Sequence, residues 1–204
     1  MPQILPIFAT PLCLAKFTDI DHLYNLTNNI TEAEYGEVGK VLNQSQSSDI
    51  LSDNRFLEVR TFIETCLENY SKLVYNSEEP LSITQSWLNK SYKGGGHLVH
   101  HHYNSLVSGV FYLKAVKGHP HITFHKNPVD ALQPHIDNTN LFTSSVYHQQ
   151  VRTGDLLLFP STLQHHVVMN TIDTPRISLS FNTWLYGSIA VSYTHLPLPT
   201  IYSV

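Results

Sequence analysis

Two textures of apolar and polar positions divide the chain near Pro80. Before it, apolar residues recur at helical spacing. Thr18 and Asp21 resemble a capping box ahead of Ile20, Leu23 and Ile30 on one face. A longer amphipathic helix is predicted from Asp53 to about Tyr75, where Phe56, Val59, Ile63, Cys66, Tyr70 and Leu73 recur at steps of three and four. After Pro80 come short runs rich in Val, Ile, Thr, Tyr and Phe, cut by Gly, Pro, Asn and Asp clusters. The runs predict strands at Ser82–Tyr92, His97–His102, Leu106–Lys114, His119–His125, Leu141–Val151, Asp155–Phe159, Gln164–Met169 and Arg176–Trp184. Eight short strands with no helix between them predict a jelly-roll sandwich or barrel. The expected fold is mainly β with N-terminal helices: a helical part over about 1–80, then a jelly-roll over about 81–187.

No internal repeat or second domain is visible, so residues 1–190 read as one domain. The last stretch, VSYTHLPLPTIYSV from Val191, has no periodicity and resembles translated adapter read-through; 191–204 reads as a non-native tail. No apolar run reaches the roughly 18 residues of a membrane span. The N-terminal MPQILPIFATPLCLAK lacks a basic n-region and is broken by Pro2, Pro6 and Pro11, which argues against a signal peptide. Cys13 and Cys66 form no disulfide framework. The expected location is cytoplasmic, which leaves the Asn-x-Ser/Thr triplets at Asn25, Asn29, Asn43 and Asn89 as chance matches.

Composition changes the picture at one point. The chain of 204 residues has 42% hydrophobic residues, enough for a core, and a net charge of −4, which argues against a nucleic-acid face. It also has 13 histidines, eleven of them between His97 and His166, whereas all eight glutamates lie at or before Glu79. A region poor in carboxylates and rich in imidazole is a metal-site candidate.

Within GGGHLVHHHYNSLVSGVFYLK (94–114), strand alternation puts His100 and His102 on one face and His101 with Val99 on the other. Two imidazoles so placed can chelate one metal of the Zn, Cu, Fe or Ni kind; an exposed polar strand reads equally well from these residues alone. FPSTLQHHVV (159–168) offers a third ligand, and since His165 and His166 point to opposite faces only one can turn inward. Eleven residues after His165 comes Arg176, sharing a face with Ser178, a fork suited to a carboxylate or, alternatively, a surface ion pair.

Together these parts resemble the double-stranded β-helix family of Fe(II)- and 2-oxoglutarate-dependent oxygenases, which is cupin-like in fold. More closely, the chain resembles a subgroup of such oxygenases from bacteria and tailed phages. The matching residues are Trp87-Leu88-Asn89, His100-His101-His102, Ser108-Gly109-Val110-Phe111-Tyr112, Phe159-Pro160-Ser161, His165, Arg176-Ile177-Ser178 and Phe181-Asn182, with Pro6-Ile7-Phe8-Ala9-Thr10-Pro11 at the start. The resemblance implies Fe(II) held by His100, His102 and His165. It implies 2-oxoglutarate held by Arg176 and Ser178, with Tyr112 and Asn89 placed to contribute. It further implies a dioxygenase that uses molecular oxygen, hydroxylates a small-molecule or peptide substrate and releases succinate and CO2. His102 departs from the wider superfamily, which carries a carboxylate there. That departure keeps two alternatives open: a three-histidine metalloenzyme that does not use 2-oxoglutarate, and a non-catalytic jelly-roll binding or structural protein.

A rival ligand pair is His135-Ile136-Asp137, but Pro134 and two asparagines bracket it as a loop. Asp155 and Asp173 read as turn residues. His97, His101 and His166 are expected outside the ligand face, and His119, His121 and His125 along one face of a single strand. His22, His148 and His195 are expected to be exposed.

Overall fold

A computed structural model describes residues 9–39, 41–126 and 142–185, together with Ile4, His135 and 138–140. The tail 191–204 and Asp137 lie outside the described residues, as do positions 6–8 of the N-terminal motif. Eleven strands and two α-helices are described. In chain order they are β1 (Cys13–Lys16), α1 (Ile20–Asn28), β2 (Tyr35–Gly39), β3 (Leu42–Ser45), α2 (Leu57–Tyr70), β4 (Leu81–Ser91), β5 (His97–His100), β6 (Val107–Lys114), β7 (Ile122–His125), β8 (Val146–Gln149), β9 (Asp155–Pro160), β10 (His165–Val167) and β11 (Arg176–Leu185). All eight strands anticipated after Pro80 are present, several with shorter limits.

The strands form a seven-stranded sheet in the order β1-β9-β6-β11-β4-β3-β2 and a four-stranded sheet in the order β5-β10-β7-β8. Every strand pair is antiparallel. This is the jelly-roll expected from the strand pattern. Alternation along the strands divides the large sheet into two faces. Leu88, Phe111, Leu113, Ile177, Leu179 and Phe181 pack with Val59, Ile63 and Leu67 of α2 and Leu23 and Leu26 of α1 in one apolar cluster. Each such side chain, once buried, contributes roughly 1.5–3 kcal/mol. The opposite face meets the small sheet in a second cluster that includes Val110, Tyr112, Ile122, Phe124, Leu157, Phe159 and Val167. The large sheet is thus pinned against helices on one side and left free to build a pocket on the other.

Gly109 lies opposite Phe181 in the β6–β11 pairing. A Cβ there would stand 2.1 Å from Phe181 Cζ, so the glycine is what lets that ring lie across the strand. The bulge at Ile177/Ser178 on the same pair sets the pocket-facing residues of β11 against those of β6.

The N-terminal part departs from the all-helical expectation. β1 extends the large sheet beside β9, and the β2–β3 hairpin extends its other edge through pairing of β3 with β4. These segments are short, and their extended form comes from pairing with distant strands rather than from local pattern. The cap of α1 is Asp19, whose Oδ1 accepts the His22 N–H at 2.9 Å, so the Thr18/Asp21 box does not form. The second helical region starts with a 3-10 turn at Asn54–Phe56 and ends in a π-turn at Ser71–Tyr75, closed by Asn76 in the left-handed region. Its buried face is Phe56, Val59, Ile63, Leu67 and Tyr70; Cys66 is half-buried, and Leu73, past the end of α2, is 86% exposed. The π-turn shifts the helical phase, which carries Leu73 off the apolar face. His22 is partly buried, not exposed, and pairs with Glu58 at 3.5 Å.

Candidate metal centre and carboxylate pocket

β5 and β10 lie side by side in the small sheet, with His165 directly opposite His100. β5 ends at His100, two residues earlier than the strand pattern suggests. The backbone continues alongside the β9–β10 loop, and the His102 N–H donates to Ser161 O at 2.9 Å. His100 and His102 therefore turn to the same side, and one ligand nitrogen from each, with one from His165, lies within 4.8 Å of the other two. Ring centroids are 4.3 Å apart for His100 and His165 and 5.2 Å for each pair that includes His102.

Two of these rings are locked by the backbone. His100 Nδ1 lies 2.7 Å from Leu98 O, and His165 Nδ1 lies 2.9 Å from Leu163 O. A carbonyl only accepts, so Nδ1 carries the proton in both neutral rings and Nε2 presents its lone pair. A backbone partner on the far nitrogen is the usual way a metal-binding imidazole is oriented. Burial also disfavours the charged form of two of the three nitrogen donors, His102 and His165. Desolvation, reinforced by neighbouring histidines, pushes His102 down to about 4 and His165 down to about 3, the Leu163 bond opposing the shift in His165.

The three histidines share a cleft of about 770 Å³, mouth included, with Asn89, His97, Tyr112, Arg176 and Ser178. Asn89 on β4, Ser178 on β11 and Tyr112 on β6 are register partners, so they form a row across three adjacent strands. Asn89 Nδ2 donates to Ser180 Oγ at 3.1 Å. Arg176 starts β11 and is only 2% exposed. Its Nη1 donates to Pro120 O at 3.4 Å, its guanidinium lies 5.8 Å from the centre of the Tyr112 ring, and its Nε is buried with no partner. Burial pushes the Arg176 pKa down, with Tyr112 opposing, and desolvation drives the Tyr112 phenol up to about 12. No carboxylate side chain lines the cleft among the described residues. A buried cation without a counter-ion and with a free donor is matched to an anionic ligand.

Several lining residues were not anticipated as part of the site, His97 and Gln44 among them. His97 lies in the cleft, where burial first and Arg176 second lower it to about 4, so it is not outside the ligand face. Gln44, on β3, reaches the cleft from the N-terminal hairpin. The i, i+3 spacing from His97 to His100 carried no signal, because the irregular register between β5 and β10 is what turns both inward. Of the anticipated shared face of His119, His121 and His125, the His119 member fails. β7 begins at Ile122, and His119 sits buried before it, accepting the Val116 N–H at Nδ1 (3.0 Å) and donating from Nε2 to Thr174 O (2.8 Å). His101 turns away to pack edge-on against Tyr103. His135 is exposed, and its rival partner Asp137 is outside the described residues.

The fold and cleft define a jelly-roll protein with a histidine cluster beside a buried arginine. Over residues 85–182, which hold every site residue anticipated from the sequence, the chain is similar to the family whose model is described as "Putative 2OG-Fe(II) oxygenase". No curated protein sequence matches it. Among solved structures, HygX from Streptomyces hygroscopicus with nickel, 2-oxoglutarate and hygromycin B bound is similar, at TM-score 0.63 and 14% identity over 85% of this chain and 82% of that one. A Pseudomonas putida prolyl-4-hydroxylase matches at TM-score 0.62 and 14% identity, covering 87% and 94%. The non-heme alpha ketoglutarate dependent epimerase SnoN from nogalamycin biosynthesis matches at TM-score 0.61 and 14% identity, covering 84% and 77%. At such identities these likenesses establish the fold. Among the described residues, no helix is long and apolar enough to cross a membrane.

Proposed function

We propose that the protein is an Fe(II)- and 2-oxoglutarate-dependent dioxygenase, with His100, His102 and His165 as metal ligands and Arg176 as the anchor for the cosubstrate. The observation that carries this reading is the pairing, in one cleft, of a three-imidazole cluster with a buried arginine whose Nε has no partner. The donor set suits a first-row transition metal. When bound, Fe(II) with 2-oxoglutarate and O2 supplies the oxidation, in which the cosubstrate becomes succinate and CO2 and one oxygen atom goes to the substrate.

The chain's own residues bind, orient and shield. The carbonyls of Leu98 and Leu163 hold the His100 and His165 rings so that Nε2 faces the metal position. Arg176 takes the far carboxylate of 2-oxoglutarate, at the depth where water is excluded and its attraction is least screened. Ser178 and Tyr112 add hydroxyls beside it, and Asn89, fixed by Ser180, orients the other end. Phe159 packs edge-on against His165 and Phe124 packs against Phe159, closing the floor with apolar surface.

The all-histidine set favours a second reading, a metalloenzyme that does not use 2-oxoglutarate. Measuring oxygen-dependent succinate formation by the iron-loaded protein, beside Arg176→Ala, tests both. Succinate formation that disappears in Arg176→Ala supports the dioxygenase. Metal-dependent activity unchanged in Arg176→Ala supports the second reading.

A further inference from the structure

Four histidines stand outside the cleft, on the other face of the same small sheet. Along β7, Ile122 and Phe124 point into the core, so Thr123 and His125 point outward with the preceding His121. Thr123 lies opposite His166 of β10 on one side and His148 of β8 on the other. The imidazoles close over it: Thr123 is only 1% exposed although it lies on the outer face. His165 and His166 are consecutive, so the strand that offers one ring to the cleft offers the next to this cluster.

The rings meet in two pairs. His125 Nε2 lies 2.8 Å from His166 Nδ1, a contact that needs one nitrogen to hold a proton and the other a lone pair. His121 and His148 have ring centroids 4.4 Å apart, and His148 Nδ1 is 3.0 Å from Thr123 Oγ1. Two imidazole nitrogens on one Zn²⁺ sit about 2.0–2.1 Å from it, hence roughly 3.3 Å from each other in a tetrahedral site. The His125–His166 gap is a few tenths of an ångström short of that bite. Both rings stand at the surface, where a small parting is cheap and the ring proton between them can move to the nitrogen that faces solvent.

We propose that this outer face is a second metal site, in which His125 Nε2 and His166 Nδ1 chelate a divalent transition-metal ion of the Cu²⁺, Ni²⁺ or Zn²⁺ class, with His121 and His148 as the adjoining pair. Imidazole-only donors exclude Mg²⁺ and Ca²⁺, which require oxygen ligands. The ion ties β10 to β7, and the adjoining pair carries the cluster across to β8. The site does not depend on the activity proposed for the cleft.

The test uses the full chain with the cleft cluster disabled by His100→Ala and His102→Ala, folding being checked by circular dichroism. Titration with Ni²⁺ alone, followed by calorimetry, is expected to show at least one equivalent bound and a melting temperature that rises with Ni²⁺ concentration. Adding His125→Ala is expected to weaken that binding at least tenfold and remove the rise. His125→Asn, which retains a hydrogen-bonding partner for His166, repeats the measurement if the alanine variant does not fold. Cu²⁺ bound to the cleft-disabled protein is expected to show nitrogen ligation by electron paramagnetic resonance. Absence of Ni²⁺ binding once the cleft cluster is disabled, or binding undiminished by loss of His125, overturns the proposal.

Discussion

Replacing Arg176 by methionine separates a ligand anchor from a structural cation, because the two roles predict opposite signs. The side chain is 2% exposed, has no carboxylate partner among the described residues and leaves Nε without a hydrogen bond. Its compensation is one long bond to Pro120 O and the face of Tyr112. The latter is worth about 0.5–2 kcal/mol. Against this stands the desolvation of a charge, several kcal/mol even after relaxation. Methionine has a similar length and no charge, so the ligand-free protein is expected to gain about 1–3 kcal/mol of stability. The same change removes two charge-assisted bonds to a carboxylate, about 1.5–2 kcal/mol each, so 2-oxoglutarate affinity is expected to fall roughly 100- to 1,000-fold. Urea denaturation of the ligand-free protein and anaerobic calorimetry with 2-oxoglutarate measure the two effects. An Arg176→Met variant that is destabilised and binds 2-oxoglutarate normally refutes the reasoning.

Three further outcomes follow from the same structure. His97, His102 and His165 are held at about 4, 4 and 3, mainly by burial, whereas the unfolded rings titrate near 6.5. Below that value only the unfolded chain gains these protons, so stability is full above pH 6.5 and falls as pH drops. The loss at pH 5.5 relative to pH 7.5 is on the order of 3 kcal/mol for the metal-free protein, and an unchanged urea midpoint contradicts it. Gly109→Ala forces a methyl into the Phe181 ring. It is expected to cost about 1–3 kcal/mol in thermal unfolding, and no loss would mean that the ring slides aside freely. Ser178→Ala removes one neutral hydroxyl from the carboxylate end and is expected to weaken 2-oxoglutarate binding by about 0.5–1.5 kcal/mol, roughly two- to tenfold; an effect as large as that of Arg176→Met would place the anchor elsewhere.

The jelly-roll was legible because its strands after Pro80 carry their own signals: β9, DLLLFP, is a buried run, and β11 alternates Arg176, Ser178, Ser180 and Asn182 with Ile177, Leu179 and Phe181. The same alternation singled out Arg176 with Ser178, since period 2 alone decides which residues share a face. What stayed hidden depended on distant partners. β3, LNQS, has no apolar pattern and becomes a strand by pairing with β4, and that pairing is what brings Gln44 to the cleft. His97 enters through an irregular register that no spacing encodes. His119 precedes β7 in no regular element, and its burial rests on a carbonyl 55 residues away, at Thr174.

The central claim is tested most directly by anaerobic loading with Fe(II), removal of excess metal, and measurement of retained iron and of 2-oxoglutarate-dependent succinate formation on admission of O2. The wild-type chain is expected to retain iron and to form succinate, His102→Ala and His165→Ala to lose both, and Asp137→Ala to keep both. Iron and succinate formation that survive in His102→Ala and vanish in Asp137→Ala would contradict the three-histidine centre.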